Sequence, residues 1–241
     1  MQSISIGAQE NIKEITLGSE AWVSATNTDG SGLYWDIFRT VFEPIGIKMK
    51  YQIRSYTGTV QMLELQKIDA FVGSGQNEID NAIYPKWHFD AEIVVVIFKK
   101  SNNLNWEGQK SLEGQKVSWI KGYEYDKYLS VPVKKREVDT RKTGLLRLNA
   151  DRIDFFMDAN IDLEYALTKG FIDSSKFQTE FVTQINLYLA FVNSPKGKQL
   201  SQIFDNRFES LLLSGEIKRL YTKWNWSPFP FESNNQEESI P

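Results

Sequence analysis

Residues 33–53 read LYWDIFRTVFEPIGIKMKYQI, and two different periodicities follow one another within this stretch. Apolar side chains recur every three to four residues over residues 33–45, which predicts an amphipathic helix. Gly46 then favours a helix end, and apolar residues alternate with polar ones over residues 47–53, which predicts a half-buried strand. A helix that passes directly into a strand is typical of α/β proteins.

Strand and helix signals continue to alternate on both sides of this stretch. A short β-branched segment ending in glycine precedes it, and a helix signal and then a buried-strand signal follow it, which together predict a βαβαβ unit over residues 13–73. Residues 101–114 are polar and turn-rich, and the alternation resumes beyond them, which predicts a second α/β unit. Ser194 and Pro195 indicate the start of a long helix, as N-cap and first-turn residues.

The composition excludes several classes of function. The chain has 241 residues, 41% of them hydrophobic, and a formal net charge of -3, so it lacks the basic excess of a nucleic-acid-binding protein. It has no cysteine, which excludes disulfides and thiolate metal sites, and its single histidine, His88, excludes a multi-histidine metal site. We therefore expect neither a cofactor nor a metal.

The sequence contains no recognisable membrane or export signal. The segment before residue 13 lacks a basic stretch followed by an apolar one, which is the pattern of a signal peptide. The longest apolar run, residues 93–98, is far shorter than the roughly 20 residues that cross a bilayer. We therefore expect the chain as given to be soluble.

Six local motifs occur along the chain in the order found in one family of bacterial proteins. They are GLYWDI (32–37), KIDA (67–70), LEGQKV (112–117), GY (122–123), DRID (151–154) continuing to Asp158, and SGEIKRLYTKW (214–224). In these motifs and in its order of elements, the sequence resembles the extracellular solute-binding proteins of family 3, the amino-acid type that serves ABC importers. The resemblance covers about residues 13–224.

The resemblance implies a type II periplasmic-binding fold, in which two α/β lobes are joined by two crossing strands. Lobe 1 would comprise residues 1–95 and 190–226, and lobe 2 would comprise residues 96–189. Residues 227–241 are rich in proline, serine, asparagine and glutamate, so we expect a disordered tail there.

The function implied by the resemblance is non-catalytic binding of a small polar solute, amino-acid-like or amine-containing, in a cleft between the lobes. Closure about the hinge would bury the solute, and an ABC importer permease or a membrane sensor would receive it. The implied location is the periplasm, and we expect a monomer. Two alternatives stay open: a periplasmic dehydratase-like enzyme on the same fold, and a detached ligand-sensing domain of a signalling receptor.

In lobe 1, the resemblance points to two loops that follow predicted strands. Glu20 and Trp22 come after the first strand, where the family presents an aromatic ring to the solute; the alternative is that Trp22 only packs under the next helix. Ser74, Gly75 and Gln76 come after the third strand, where backbone and hydroxyl donors of the family hold the carboxylate of the ligand. The alternative there is an ordinary polar turn.

One residue that the resemblance leads us to expect is missing from this second loop. In the amino-acid binders an arginine pairs bidentately with the α-carboxylate of the ligand, but this sequence has no arginine between Arg54 and Arg136. Acidic Glu78 and Asp80 stand there instead. Lys86 could supply the positive charge, although a solvated lysine is the simpler interpretation. We therefore expect free standard amino acids to bind weakly or not at all.

In lobe 2, the resemblance points to Tyr123 and Asp158. Tyr123 lies at a strand-to-helix turn, and Asp158 ends an apolar strand and matches the acid that receives the ammonium group of the ligand. Together with Glu20, Glu78 and Asp80, Asp158 would give the site a negative potential that favours a cationic solute. The alternative is that Asp158 caps the helix that follows.

Overall fold

In a computed structural model, which describes residues 12–232, the chain divides into two compact units. Unit 1 contains residues 12–54, 59–90 and 188–232, and unit 2 contains residues 55–58 and 91–187. Each unit combines β-strands with α-helices, so the predicted α/β class is confirmed. None of the helices in the described part of the chain is long and apolar enough to cross a membrane.

Unit 1 is built on four neighbouring strands in the order β2-β1-β3-β8. They are β1 (Glu14–Ser19), β2 (Lys48–Ile53), β3 (Ala70–Ser74) and the C-terminal part of β8 (Phe177–Phe191). β1 pairs in parallel with both β2 and β3, and the helices α1 (Leu33–Phe42) and α2 (Tyr56–Glu64) connect them, which is the predicted βαβαβ unit. β8 returns antiparallel to β3.

The end of α1 differs slightly from the sequence prediction. The α-helix ends at Phe42, and Glu43–Ile45 forms a 3-10 turn that closes on Gly46, whose φ is 81°. Pro44 lacks a backbone N–H and cannot continue the α-helical hydrogen bonds, which therefore stop here. Gly46 adopts the left-handed conformation at no steric cost.

Two C-terminal helices complete unit 1. α5 (Pro195–Leu213) begins as predicted at Ser194, whose hydroxyl accepts a hydrogen bond of 3.0 Å from the Gly197 N–H. α6 (Glu216–Lys223) follows, and both helices pack against α1. Phe204 of α5 lies 6.5 Å from Phe38 and 5.1 Å from Phe208, centroid to centroid, so aromatic packing forms much of this core.

The segment after α6 also packs on unit 1. Trp226 and Tyr221 donate hydrogen bonds of 3.0 and 2.8 Å to the buried carboxylate of Asp90. Phe231 stacks on His88 with 4.6 Å between ring centroids, although composition places residues 227–232 in a disordered tail. Aromatic side chains within this proline- and serine-rich stretch hold it to the core. The rest of the predicted tail, residues 233–241, lies outside the described residues.

Unit 2 is built on four further neighbouring strands in the order β4-β7-β5-β6. They are β4 (Asp90–Lys99), β5 (Lys116–Ile120), β6 (Lys134–Val138) and β7 (Phe155–Ala159). The helices are α3 (Arg141–Asn149) and α4 (Asn160–Leu167). The turn at Tyr123, predicted to lead from a strand into a helix, leads only into a 3-10 turn, Tyr125–Tyr128. β7 lies between β4 and β5, and all five of its residues are buried.

Three parallel strands of unit 2 bring their carboxyl ends to one edge of the sheet. β5 pairs in parallel with both β6 and β7, so the segments that leave these strands start side by side. Tyr123 follows β5, Arg141 opens α3 after β6, and Asp158 lies at the end of β7. This edge is where open α/β sheets bind ligands, because loops and helix N-termini meet there.

We predict that Gly144→Ala destabilises unit 2, although alanine favours helices over glycine by about 1 kcal/mol. A Cβ atom on Gly144 of α3 would lie 2.2 Å from the ring of Phe156 in β7, so the helix would have to move off the sheet. Overpacking of this kind costs about 1–3 kcal/mol. Urea unfolding of wild type and variant measures the effect. A variant more stable than wild type would show that helix propensity outweighs the contact.

Candidate functional site

An ionic cluster lies at this edge of unit 2 and consists of Arg141, Asp158, Asp162 and Tyr123. The Nε of Arg141 donates to Oδ2 of Asp158 at 2.7 Å, and its Nη2 lies 3.2 Å from Oδ1 of the same carboxylate. Nη2 also donates to Asp162 at 2.6 Å and to the hydroxyl of Tyr123 at 3.1 Å. The guanidinium therefore holds two carboxylates at once.

Local structure fixes each member of this cluster. Asp158 is held within the fully buried β7, and Asp162 lies in the first turn of α4, which begins two residues later. Arg141 is the first residue of α3, where the hydroxyl of Thr140 caps the helix by accepting a hydrogen bond of 3.1 Å from the Thr143 N–H. The N-cap of α4 is Ala159, so Asp158 does not cap this helix as the alternative interpretation suggested.

Burial dominates the electrostatics of the cluster. The side chain of Asp158 is 0% exposed, that of Asp162 is 13% exposed and that of Arg141 is 22% exposed. Burial raises the pKa of Asp158 to about 7 and also raises that of Asp162, while Arg141 opposes both shifts. Burial disfavours the charged form of Arg141, but the carboxylates outweigh it and raise the pKa of Arg141, which stays protonated.

A second hydrogen-bonded acid lies beside the cluster. Glu92 of β4 accepts a hydrogen bond of 2.6 Å from the hydroxyl of Tyr125, whose ring lies 5.6 Å from that of Tyr123. Burial raises the pKa of Glu92 to about 8, and the nearby charges of Asp158 and Asp162 add to this shift. Burial also raises the pKa of Tyr125 well above its ordinary value, so Tyr125 remains a donor.

One hydrogen-bond donor of the cluster, the Nη1 of Arg141, has no partner in the described part of the chain. The hydrogen bonds of Arg141 use Nε and Nη2, and its Nη1 donates to no residue between 12 and 232. Because Asp158 and Asp162 fix the rest of the guanidinium, the direction of the Nη1 donors is fixed as well. The cluster can therefore donate hydrogen bonds from a preorganised, charged group.

In unit 1, the loop after β3 satisfies most of its own donors. The N–H of Gly75 donates to the carboxylate of Glu78 at 2.6 Å, and the buried hydroxyl of Ser74 hydrogen-bonds with that of Tyr84 at 2.8 Å. Of the three residues predicted to hold a ligand carboxylate here, only Gln76 is exposed. The acidic Glu78 thus occupies the backbone donor that the sequence interpretation reserved for a ligand.

The Trp22 ring comes close to this loop, and the Glu20 backbone contacts its own segment. A Cβ atom on Gly73 would lie 2.6 Å from the Trp22 ring, so the ring packs on the end of β3 and is half-buried. The backbone carbonyl of Glu20 accepts a hydrogen bond of 2.7 Å from Thr26. The structure therefore brings Trp22 together with the residues that precede Ser74, and the ligand contact of Trp22 stays a prediction.

Lys86 belongs to a different part of unit 1. Its ammonium group lies 3.7 Å from the carboxylate of Glu209 in α5 and 4.8 Å from the centroid of the Trp87 ring. The side chain is 68% exposed, which agrees with the interpretation as a solvated lysine. Nearby, the Nδ1 of His88 lies 3.0 Å from the Asp90 carbonyl, and burial lowers the pKa of His88.

Three residues of this site, Arg141, Asp162 and Glu92, are not predicted from the sequence. One signal was available for Arg141, because a cation in the first turn of a helix opposes the helix dipole and therefore suggests an acidic partner. The acidic partners lie 17 and 21 residues away in sequence, and only the packing of α3, β7 and α4 brings them together. Among the described residues, no group of three or more His, Cys, Asp or Glu side chains could hold a metal ion.

We predict that the stability of the chain falls between pH 5 and pH 9 and falls less in Glu92→Gln. A carboxyl whose pKa is raised on folding binds its proton more tightly in the folded chain, so rising pH favours unfolding until that pKa is passed. At about 1.4 kcal/mol per pKa unit, the shift to about 8 sets an upper limit of roughly 5 kcal/mol for Glu92. Melting temperatures across this pH range give the measurement.

Glu113→Gln provides the matched control, because Glu113 is exposed in the same unit. Equal pH dependence in the two variants would contradict the account of Glu92.

Solved structures with a similar fold cover most of the chain. An ABC uptake transporter substrate-binding protein from Streptococcus pneumoniae with bound histidine is 18% identical, with a TM-score of 0.67 over 88% of this chain and 92% of its own. The GluR0 ligand-binding core with L-glutamate is 12% identical, with a TM-score of 0.70 over 89% and 99%. An ancestral amino-acid-binding protein, described as a precursor of cyclohexadienyl dehydratase, is 15% identical, with a TM-score of 0.66 over 88% and 95%.

These similarities concern the fold, since the identities are low. No protein-family model matches the chain, and no curated protein matches it. The neighbours nonetheless superpose on nearly nine-tenths of the chain, with TM-scores of 0.66 to 0.70. The chain therefore has the fold of the two-lobed periplasmic binding proteins.

Proposed function

We propose that the chain is a non-catalytic receptor for a small polar solute and that the ionic cluster of unit 2 contacts this solute. The observation that carries the proposal is the unpaired Nη1 of Arg141, a charged donor that Asp158 and Asp162 hold in place. Binding sites typically combine a largely buried surface with a few preorganised polar groups. An oxygen acceptor on the solute, such as a carboxylate or carbonyl, suits this donor.

The fold supports solute binding over other functions. The neighbours include proteins solved with histidine and with L-glutamate, and these bind their ligands on the same architecture. We further propose that Trp22 and Gln76 of unit 1 contribute ligand contacts, because the Trp22 ring packs at the end of β3 and Gln76 is exposed just beyond it. Gln76 offers both amide donors and an amide acceptor to a polar solute.

The proposal extends to where the solute goes. We propose a periplasmic chain that acts as a monomer and passes its solute to an ABC importer permease; the Streptococcus pneumoniae neighbour is a substrate-binding protein of an ABC uptake transporter. A membrane sensor is the alternative recipient, and the similarity to the GluR0 ligand-binding core favours keeping it. Growth of a deletion strain on the identified solute separates the two, because only loss of an importer component stops uptake.

Acid catalysis is the second candidate function, and Glu92 is the observation that favours it. With a pKa of about 8, Glu92 keeps a proton at neutral pH and has the property required of a general acid. One neighbour is described as a precursor of a dehydratase. Proton NMR of the identified solute incubated with the chain distinguishes the candidates: a receptor returns the solute unchanged, whereas an enzyme yields a product that Glu92→Gln no longer makes.

We predict that a thermal-shift screen of carboxylate- and carbonyl-bearing metabolites finds a stabilising solute whose affinity falls in Arg141→Lys. A ligand at 100 times its dissociation constant stabilises the folded chain by about 2.7 kcal/mol. Lysine keeps the charge but loses the planar fork, and loss of a charge-assisted hydrogen bond, worth about 1.5–3 kcal/mol, weakens binding roughly 10- to 150-fold. Isothermal titration calorimetry measures both affinities.

Lys142→Ala is the matched control, because Lys142 is the neighbouring cation, is exposed and lies over the ring of Phe171. The melting temperature of each variant reports its folding. Undiminished affinity in Arg141→Lys would remove the cluster from the binding site, and a screen without any stabilising compound would argue against the receptor.

A further inference from the structure

Arg141 already occupies the place at which Asp158 and Asp162 could hold a cation. Its Nε and Nη2 contact both oxygens of Asp158, at 2.7 and 3.2 Å, and Nη2 contacts Asp162 at 2.6 Å. A guanidinium group matches this arrangement because its N–H donors diverge in one plane. The two acids are thus already paired with a cation, and that cation is part of the chain.

At Asp158, where both oxygens are occupied, a ligand cation would have to displace this resident guanidinium. The displaced Arg141 would lose both carboxylates while its side chain is only 22% exposed, and removing one partner of a buried ion pair is strongly unfavourable. The other groups that face the cluster offer no replacement for the acids. Tyr123 offers only an uncharged hydroxyl, and Glu92 already accepts a hydrogen bond from Tyr125, in the 3-10 turn after β5.

We infer that Arg141 is a specificity-determining residue, which closes the Asp158–Asp162 acid pair to ligand cations. The wild-type chain then recognises its solute through acceptor atoms rather than through an ammonium group, and removal of Arg141 opens the acid pair to an external guanidinium. This inference deepens the proposed function and rests on it for the identity of the solute. Whether an added guanidinium compound can replace the side chain of Arg141 is tested without the natural solute.

The test uses Arg141→Ala with methylguanidinium as the cation and methylurea as its neutral counterpart of similar shape. At 20 mM probe, we expect methylguanidinium to raise the melting temperature of Arg141→Ala by roughly 3 °C or more, because the probe binds only the folded chain. Methylurea should produce no such shift. The wild-type chain should respond to neither probe, because its own guanidinium fills the acid pair.

The double variant Arg141→Ala, Asp158→Asn is the control for location, since it removes the carboxylate that contacts two atoms of the guanidinium. Its response to methylguanidinium should be lost or strongly reduced. An equal response in wild type, an equal response to methylurea, or an undiminished response in the double variant would each overturn the inference. Failure of the metabolite screen, by contrast, would argue against the proposed solute-binding function and would not affect the inference about Arg141.

If Arg141→Ala does not accumulate in folded form, it is refolded from urea in the presence of each probe. Recovery of the folded chain in 20 mM methylguanidinium but not in methylurea supports the inference. Recovery in neither, or equally in both, overturns it.

Discussion

The ion pair between Arg141 and Asp158 is the constraint on which the polar interior of unit 2 depends. A carboxylate that is 0% exposed cannot remain charged there without a partner, because desolvation costs several kcal/mol per ion. Arg141 supplies the partner, and its Nη2 also donates to Asp162 and to the hydroxyl of Tyr123. The same contacts that neutralise Asp158 also fix the orientation of the guanidinium, so charge compensation and preorganisation have one cause.

The sheet makes this pair possible. β5, β6 and β7 run parallel, and the three segments that follow them therefore begin at one edge. A parallel arrangement places residues distant in sequence beside one another, and each contributes a different group: a hydroxyl, a guanidinium and a carboxylate. Glu92 comes from β4, which pairs antiparallel with β7, and adds a further acid whose burial raises its pKa. Three acids and one arginine leave an excess of negative charge, which protons on the raised-pKa carboxyls offset.

The fold can be predicted from the sequence more fully than the candidate site. The alternation over residues 47–53 and the cap at Ser194 are local signals, and both match the structure because short-range packing and hydrogen bonding decide them. In α3, the pattern of buried residues (Gly144, Leu145 and Leu148) starts three residues after the helix begins at Arg141. Arg141 is polar and precedes that pattern, so helical periodicity leaves it in a loop.

The site depends on pairings that no local pattern encodes. Asp158 can be located from sequence because it ends an apolar strand, but its partner cannot, since α3 and β7 approach one another only in the folded unit. At Gly75 the sequence predicts a free backbone N–H that could hold a ligand. In the structure this N–H donates to Glu78, three residues later. In both units a side chain of the protein itself binds the group that was expected to bind the ligand: Glu78 binds the Gly75 N–H, and Arg141 binds Asp158. That substitution changes the expected solute from an amine to a molecule recognised by its acceptor atoms.

The most direct test of this account is a crystal structure of the chain with the solute that stabilises it. The account predicts an oxygen atom of the solute within about 3 Å of Nη1 of Arg141, with the contacts of Arg141 to Asp158 and Asp162 unchanged. A solute bound without contact to Arg141, or a solute cation seated on Asp158 with Arg141 displaced, would contradict it.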